Sequence, residues 1–357
     1  MKNFFYLAAL SLLGFGCTPN QQSTTCEPSN MWTEQAAHEW YDGHKWMVGC
    51  NYTTSSAVNQ IEMWHADTFD PELIDKELGW AEDLGFNSMR VFLHSLVWLN
   101  DSVAFKQRID QYLAISTKHG ISTTLVLFDD CWNADATYGK QPAPKTGVHN
   151  SGWIQDPVAS MRKDTASLYP LMEKYVKDIL TTFKDDKRVL MWDLYNEPGN
   201  SGHINQSMPL LQKAFAWARE INPSQPLTSG VWNLTLHDLN RFQLENSDII
   251  TYHCYHDKLR HSDWVNWMRV YHRPLVCTEW MGRRFNSTFE LVLPMLKEEH
   301  IGAYCWGFVA GKTNTIFAWD DPQPSGKEPK LWFHDIIRTD GTPYSQKEIE
   351  TIKSLTR

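Results

Sequence analysis

Two stretches of this chain run from apolar, strand-like residues onto a carboxylate. Residues 192–198 read Trp-Asp-Leu-Tyr-Asn-Glu-Pro and residues 275–280 read Leu-Val-Cys-Thr-Glu-Trp, so Glu197 and Glu279 stand at the ends of their runs. If both runs are strands of one parallel barrel, both carboxyls lean over the rim where such barrels build their sites. Two carboxyls facing each other are what acetal hydrolysis needs: one protonates the leaving oxygen while the other attacks or stabilises the oxocarbenium-like carbon. A third run ends Phe-Asp-Asp-Cys-Trp at 128–132. Asp129 and Asp130 read there either as ligands for sugar hydroxyls or as a solvated turn, and Trp132 belongs to a long loop. His253, Cys254 and His256 suggest a metal set, but successive strand residues point to opposite faces and cannot all converge. The expectation is chemistry without a metal or a cofactor.

The elements that must position these groups alternate short apolar or β-branched runs with longer helical patterns, as βα units around a parallel sheet do. Eight strands are expected over 46–50, 88–93, 122–128, 189–195, 226–231, 248–255, 274–279 and 302–308. Between them, Phe105, Ile109, Tyr112 and Leu113 recur at helical spacing before Gly120, and Leu171, Met172, Tyr175, Val176, Ile179 and Phe183 form a second stripe. Ser345 with Glu348 three places on reads as a capping box opening the last helix. Eight strands with helices between them predict a single-domain (β/α)8 TIM barrel over 34–357. An open doubly wound sheet would carry a Gly-rich fingerprint after its first strand, and none stands there. Three connections leaving C-terminal strand ends are long (51–71, 129–163 and 307–332) and carry Trp64, Trp132, Trp153 and Trp319. Loops of that length are usually functional or disordered, and their Trp content argues for function.

Composition narrows the ligand. The formal charge of the 357 residues is -9 with no Lys/Arg run, which argues against nucleic acid as a partner. The chain carries 17 Trp, 13 Tyr and 16 Phe. Most such rings fill the core, but flat rings beside polar groups also suit the C–H faces of sugars. Lys2 precedes an apolar run over 4–15, too short to span a bilayer and suited to a signal peptide over 1–16. Its end, Leu-Gly-Phe-Gly-Cys at 13–17, is similar to a bacterial lipobox, which implies lipidation of Cys17 and export to the cell envelope, facing the periplasm. Residues 17–33 read as a flexible tether, and the membrane is met only through the anchor. Cys50, Cys254, Cys277 and Cys305 lie in strand-like runs as small buried hydrophobes, so no disulfide framework is expected.

The Asn-Glu-Pro after the fourth run and the Glu-Trp ending the seventh resemble the catalytic motifs of clan A glycoside hydrolases, nearest to family 5, the cellulase and mannanase family. The resemblance spans nearly the whole mature chain. It implies Glu197 as acid/base and Glu279 as nucleophile, with Arg90 holding the nucleophile ionised and Asn196 on the sugar 2-hydroxyl. His253 and Tyr255 fall on the strand-six positions, Tyr255 donating to Glu279, and Trp306 would floor the subsite of the sugar being cleaved. Family 5 often shows a His near the end of strand three, where this chain has 128–132 as quoted. Arg90 and Tyr255 are expected to lower the pKa of Glu279 while Glu197 keeps a raised one. Because the fourth and seventh strands face each other across a narrow barrel, the carboxyl spacing expected is the shorter, retaining one. The implied partner is a β-linked oligo- or polysaccharide. Two rival readings are a carbohydrate-binding lipoprotein without turnover and a metal-dependent barrel hydrolase.

Overall fold

A computed structural model describes residues 30–357. Its strands are β1 Val48–Asn51, β2 Ser88–Phe92, β3 Ser122–Asp129, β4 Val189–Asn196, β5 Leu227–Thr228, β6 Ile250–His253, β7 Leu275–Trp280 and β8 Gly302–Cys305. They pair in parallel in the order β5-β4-β3-β2-β1-β8-β7-β6. The two ends of that order meet through single bonds: Val231 N donates to Thr251 O at 3.0 Å and His253 N to Val231 O at 2.8 Å. With helices between the strands, the architecture is the expected (β/α)8 barrel. The eight expected runs all contain strands. The fifth shrinks to two residues plus the Val231 bridge to Tyr252, because Ser229 leaves the ladder and its hydroxyl bonds Tyr195 O.

Strands buried on both faces need near-continuous apolar runs, and every residue of β1, β2 and β4 is buried. The polar exceptions mark the barrel interior. Tyr304 on β8 reaches past β1 to Ser88 on β2 at 2.7 Å, and Arg90 on β2 reaches past β3 to Asp193 on β4. Outside, the stripe of Phe105, Ile109, Tyr112 and Leu113 is buried on a helix running Ser95–Lys118, which begins earlier than its apolar spacing suggests and is broken by non-helical Asp101. The second stripe lies on the helix Thr165–Phe183. Cys50, Cys254, Cys277 and Cys305 are buried free thiols, as is Cys131.

Both chain ends depart in detail from expectation. The backbone of Trp32 is bonded to Asp248 Oδ1 at 2.8 Å and accepts from Arg273 at 2.8 Å, and Thr33 caps the helix Glu34–Asp42. Residues 30–33, grouped with the tether in the sequence reading, are therefore held against the barrel; the leader and Cys17 lie outside the described residues. At the other end Ser345 caps the helix Gln346–Thr356 by accepting from Glu348 N, but the Glu348 side chain does not complete the box. It turns inward and takes Arg283 in a two-pronged pair at 2.8 and 2.6 Å. The same guanidinium donates to the carbonyls of Trp332, His334 and Asp335, pinning the eighth connection to the C-terminal helix.

Arg283→Ala would leave the buried Glu348 carboxylate and three carbonyls without their donor. The expected loss is about 3–5 kcal/mol of folding stability, read as a lowered urea midpoint at unchanged m-value.

Candidate active site

The site is held at the C-terminal rim by the ends of β2, β4, β6, β7 and β8. The sequence of β4 alternates imperfectly there. Tyr195 packs outward against Phe128, which in turn packs on Tyr175, yet both Asp193 and Asn196 reach Arg90 inside the barrel. Alternation thus slips at the strand's end, and Glu197 follows with a left-handed backbone, φ 44°. A non-glycine residue in that region is uncommon and is held by its surroundings. Glu279 needs no such device, because it lies within β7 and pairs with His253 on β6.

Arg90 organises this rim with all five of its N–H donors. Nε and Nη2 donate to Asp193 Oδ2 at 3.0 and 2.8 Å, Nη2 also to Asn196 Oδ1 at 2.7 Å, and Nη1 to Asn51 Oδ1 at 2.7 Å and Glu279 Oε1 at 2.8 Å. The other oxygen of Glu279 accepts from the Tyr255 hydroxyl at 2.9 Å. His253 Nδ1 sits between the two carboxylates, 2.7 Å from Glu197 Oε1 and 3.4 Å from Glu279 Oε2. Burial holds the imidazole pKa down to about 4, so the ring is neutral at pH 7, and two facing acceptors place its proton on Nδ1. Glu197 Oε2 accepts from Asn200 Nδ2 at 2.5 Å and from the Cys131 thiol at 3.2 Å. Among the described residues Glu197, His253 and Glu279 have donor atoms within 4.8 Å of one another, close enough to consider a cation. The hydrogen bonds already account for the cluster, however, and the Arg90 charge against Glu279 opposes a second cation. His256, part of the metal set considered from sequence, packs on Trp264 instead.

Burial raises the pKa of both carboxyls. For Glu279 this is opposed by His253, Arg90 and Tyr255, and for Glu197 by Cys131, Asn200 and, without contact, the Arg90 charge. The expectation that Glu279 would be lowered outright is corrected: desolvation outweighs its partners. What distinguishes the pair is contact. Glu279 touches a guanidinium, which favours its anion, and Glu197 does not.

Over the carboxylates lies a cavity of about 550 Å³, lined by Glu197, Glu279, Asn196, His253, Tyr255, Trp306 and Trp132, together with Trp153, Trp232, Trp264 and Trp319. Trp306 packs T-shaped against Phe92 and Trp153 and lines the cavity. Arg90, Asp129 and Asp130 do not line the cavity. Arg90, expected to hold the nucleophile ionised, is fully buried and reaches the cavity through Glu279 and Asn196. Asp129 spends both oxygens on Asn196, Cys131 N, Trp153 and Gln60, and these donors favour its anion although burial pushes its pKa up to about 8. Asp130 is bound by Arg162, Tyr195, Gly199 N and Ser207. Neither Asp is the solvated turn of the other reading, since both are buried. Asp193, Asn51, Cys131, Asn200, Trp232, Trp264, His149 and His334 escaped the sequence reading. Asp193 alone left a signal there, a lone carboxylate inside an otherwise apolar strand.

Arg90→Gln would remove the guanidinium from Glu279. The expected result is a further rise in the lower apparent pKa of the carboxyl pair, readable by NMR titration of carboxyl-labelled glutamate. An unchanged value would mean that the ion pair does not set the ionisation.

The chain can be set against known proteins on this geometry. No curated protein sequence matches it. Solved structures share its fold at low identity. One is a GH5_18 enzyme from Streptomyces cattleya in complex with Manb1-4GlcNAc, with TM-score 0.58 and 12% identity, covering 88% of this chain and 81% of the other. Another is an exo-beta-1,4-mannosidase from Opitutaceae bacterium strain TAV5, with TM-score 0.59 and 16% identity, covering 92% and 62%. A third is the endo-1,4-beta-D-mannanase of Thermotoga petrophila RKU-1, with TM-score 0.57 and 15% identity, covering 87% and 99%. The family model for cellulase (glycosyl hydrolase family 5) matches residues 49–311, the span from β1 through β8 that carries both carboxylates. The chain therefore belongs to glycosyl hydrolase family 5 and is a glycosidase.

Proposed function

We propose that the protein is a retaining hydrolase of β-linked glycosides, with Glu279 as nucleophile and Glu197 as acid/base. The observation that carries this reading is the spacing of the pair, whose facing oxygens lie within 4.8 Å of each other. Retaining enzymes hold their carboxyls about 5–5.5 Å apart, whereas inverting ones need about 6.5–9.5 Å to admit a water. Glu279, charged against Arg90 and steadied by Tyr255, attacks the anomeric carbon. Glu197 gives its proton to the departing oxygen. Once Glu279 is esterified its charge is gone, the pKa of Glu197 falls, and the same carboxylate activates the water that releases the sugar. Trp306 supplies the flat face beneath that sugar, and Asn196, fixed between Arg90 and Asp129, presents its amide at the rim. Mannosides are the first substrates to try, because the structural neighbours include β-1,4-mannan-cleaving enzymes and one holding Manb1-4GlcNAc.

Proton NMR in the first minutes of hydrolysis is expected to show a product that keeps the β configuration; an inverted first product overturns the double displacement. Glu279→Ala is expected to abolish turnover on every substrate. Glu197→Ala is expected to keep glycosylation by aryl glycosides whose leaving group needs no proton.

We also propose that the enzyme is exported and held to the bacterial envelope, on the periplasmic side, by lipid on Cys17. The small residues before that Cys and the polar stretch after it support this reading. One acyl chain anchors only marginally, so multiple acylation is implied. Cys17→Ser is expected to move the protein from the membrane to the soluble fraction in a Gram-negative host. Wild-type protein already soluble with its own leader would refute the anchor.

A further inference from the structure

The cavity has two unlike ends, and they predict where along a sugar chain the enzyme cuts. On the side of β8, β1, β2 and β3, the three long connections are bonded to one another. Lys312 N donates to Ser55 O at 3.0 Å and its ammonium to Glu62 at 2.8 Å, joining the eighth connection to the first. Asn150 N donates to Thr313 O and Gln323 N to Gly147 O, each at 2.8 Å, joining the third connection to the eighth. The imidazole of His149 meets Phe317 O at 2.8 Å, and the Asn59 amide donates to Gly152 O at 2.9 Å, joining the first connection to the third. The approach is close enough to require glycine. A Cβ at Gly147, which has φ +66°, would stand 1.8 Å from Gln323 O, and one at Gly311 would stand 2.3 Å from Ser55 O. Asn59, His149 and Asn150 are buried in this wall. Asn150 Oδ1 and His334 Nε2, on two residues that line the cavity at this end, are buried without a partner in the protein.

The opposite side is open. There the connections after β5 and β6 are short, and the cavity continues into a second groove of about 530 Å³ that shares Trp232, His256 and Trp264 with it and adds Leu234, Arg260 and Asp263. Trp232 is held in place by its indole N–H, which donates to Pro198 O at 3.1 Å.

Given Glu197 as acid/base, the two ends acquire chemical identities. The leaving group must lie beyond Glu197, hence on the side of β4, β5 and β6, and the sugar attacked by Glu279 lies over Trp306 with its far end toward the bonded loops. We propose that the enzyme is exo-acting. It takes the single terminal sugar at the non-reducing end of a β-linked oligosaccharide into the blind end of the cavity, with the remaining sugars laid along Trp232 and Trp264. A second glycosyl unit beyond the first would run against the wall formed by His149, Asn150 and the eighth connection.

This inference rests on the assignment of Glu197 and Glu279, and one experiment separates the two. Linear β-1,4-linked manno- and gluco-hexaoses carrying a fluorescent label at the reducing end are digested and the products resolved at early times. The expected pattern is a labelled pentaose and free monosaccharide as the sole first products. Labelled di- or trisaccharides appearing at the same time overturn exo action while leaving the glycosidase assignment intact. Absence of cleavage of these and of aryl β-glycosides overturns both. A second measurement addresses the open end: Trp232→Ala is expected to lower kcat/KM for the labelled hexaose relative to that for an aryl glycoside of the same terminal sugar. An unchanged ratio overturns the place given to Trp232.

Discussion

The arrangement of the rim depends on one buried cation. Arg90 has no access to water and compensates by using every N–H it carries, on partners drawn from β1, β4 and β7. A charge removed from water is tolerable only when it is paired and fully hydrogen-bonded. Here the pairing is shared between two carboxylates with different tasks. Asp193 takes Nε and Nη2 through a single oxygen and has no exposure, so it acts as the permanent counter-ion. Glu279 takes only Nη1 and leaves its second oxygen to Tyr255, at the cavity floor. Because Asp193 holds the guanidinium whatever happens at Glu279, covalent chemistry there does not strand the arginine.

The same network spreads its influence through Asn196. Its carbonyl oxygen accepts from Arg90 and its amide donates to Asp129, which fixes the sense of the amide without ambiguity. Asp129 in turn accepts from the Trp153 indole, and Trp153 packs on Trp306. An unbroken chain of contacts therefore links the cation inside the barrel to the aromatic floor of the site. The two acidic residues at the end of β3, read from sequence as sugar ligands or a solvated turn, are the supports of this chain on one side and of the loop that carries Glu197 on the other.

Glu197 itself sits in softer surroundings. A neutral imidazole, an amide and a thiol touch it, none of them charged. The imidazole and the amide donate to it, while the thiol can donate to the carboxylate or accept from the carboxylic acid, which suits a group that must give up a proton and later take one back. Burial raises both carboxyls, and only the asymmetry of their neighbours divides the labour between them.

Much of this was legible in the one-dimensional pattern. Alternating apolar runs and helical stripes determined the barrel, since a parallel sheet buried on both faces has few other ways to close. The positions of Glu197, Glu279, His253, Tyr255 and Trp306 toward run ends then determined that they would share one rim, with Arg90 beneath it. Local pattern failed where long-range contact decides. Whether Asp129 binds sugar or structure depends on Trp153 arriving from 24 residues away, and whether Glu348 caps its helix or pairs with Arg283 depends on a partner 65 residues distant. The slip of alternation that brings both Asp193 and Asn196 to Arg90 breaks the period of two on which strand reading rests. The bonding of the three long loops to one another lay furthest from the sequence, because much of it is made by backbone carbonyls and amides, groups that carry no sequence pattern and that only the folded chain brings together.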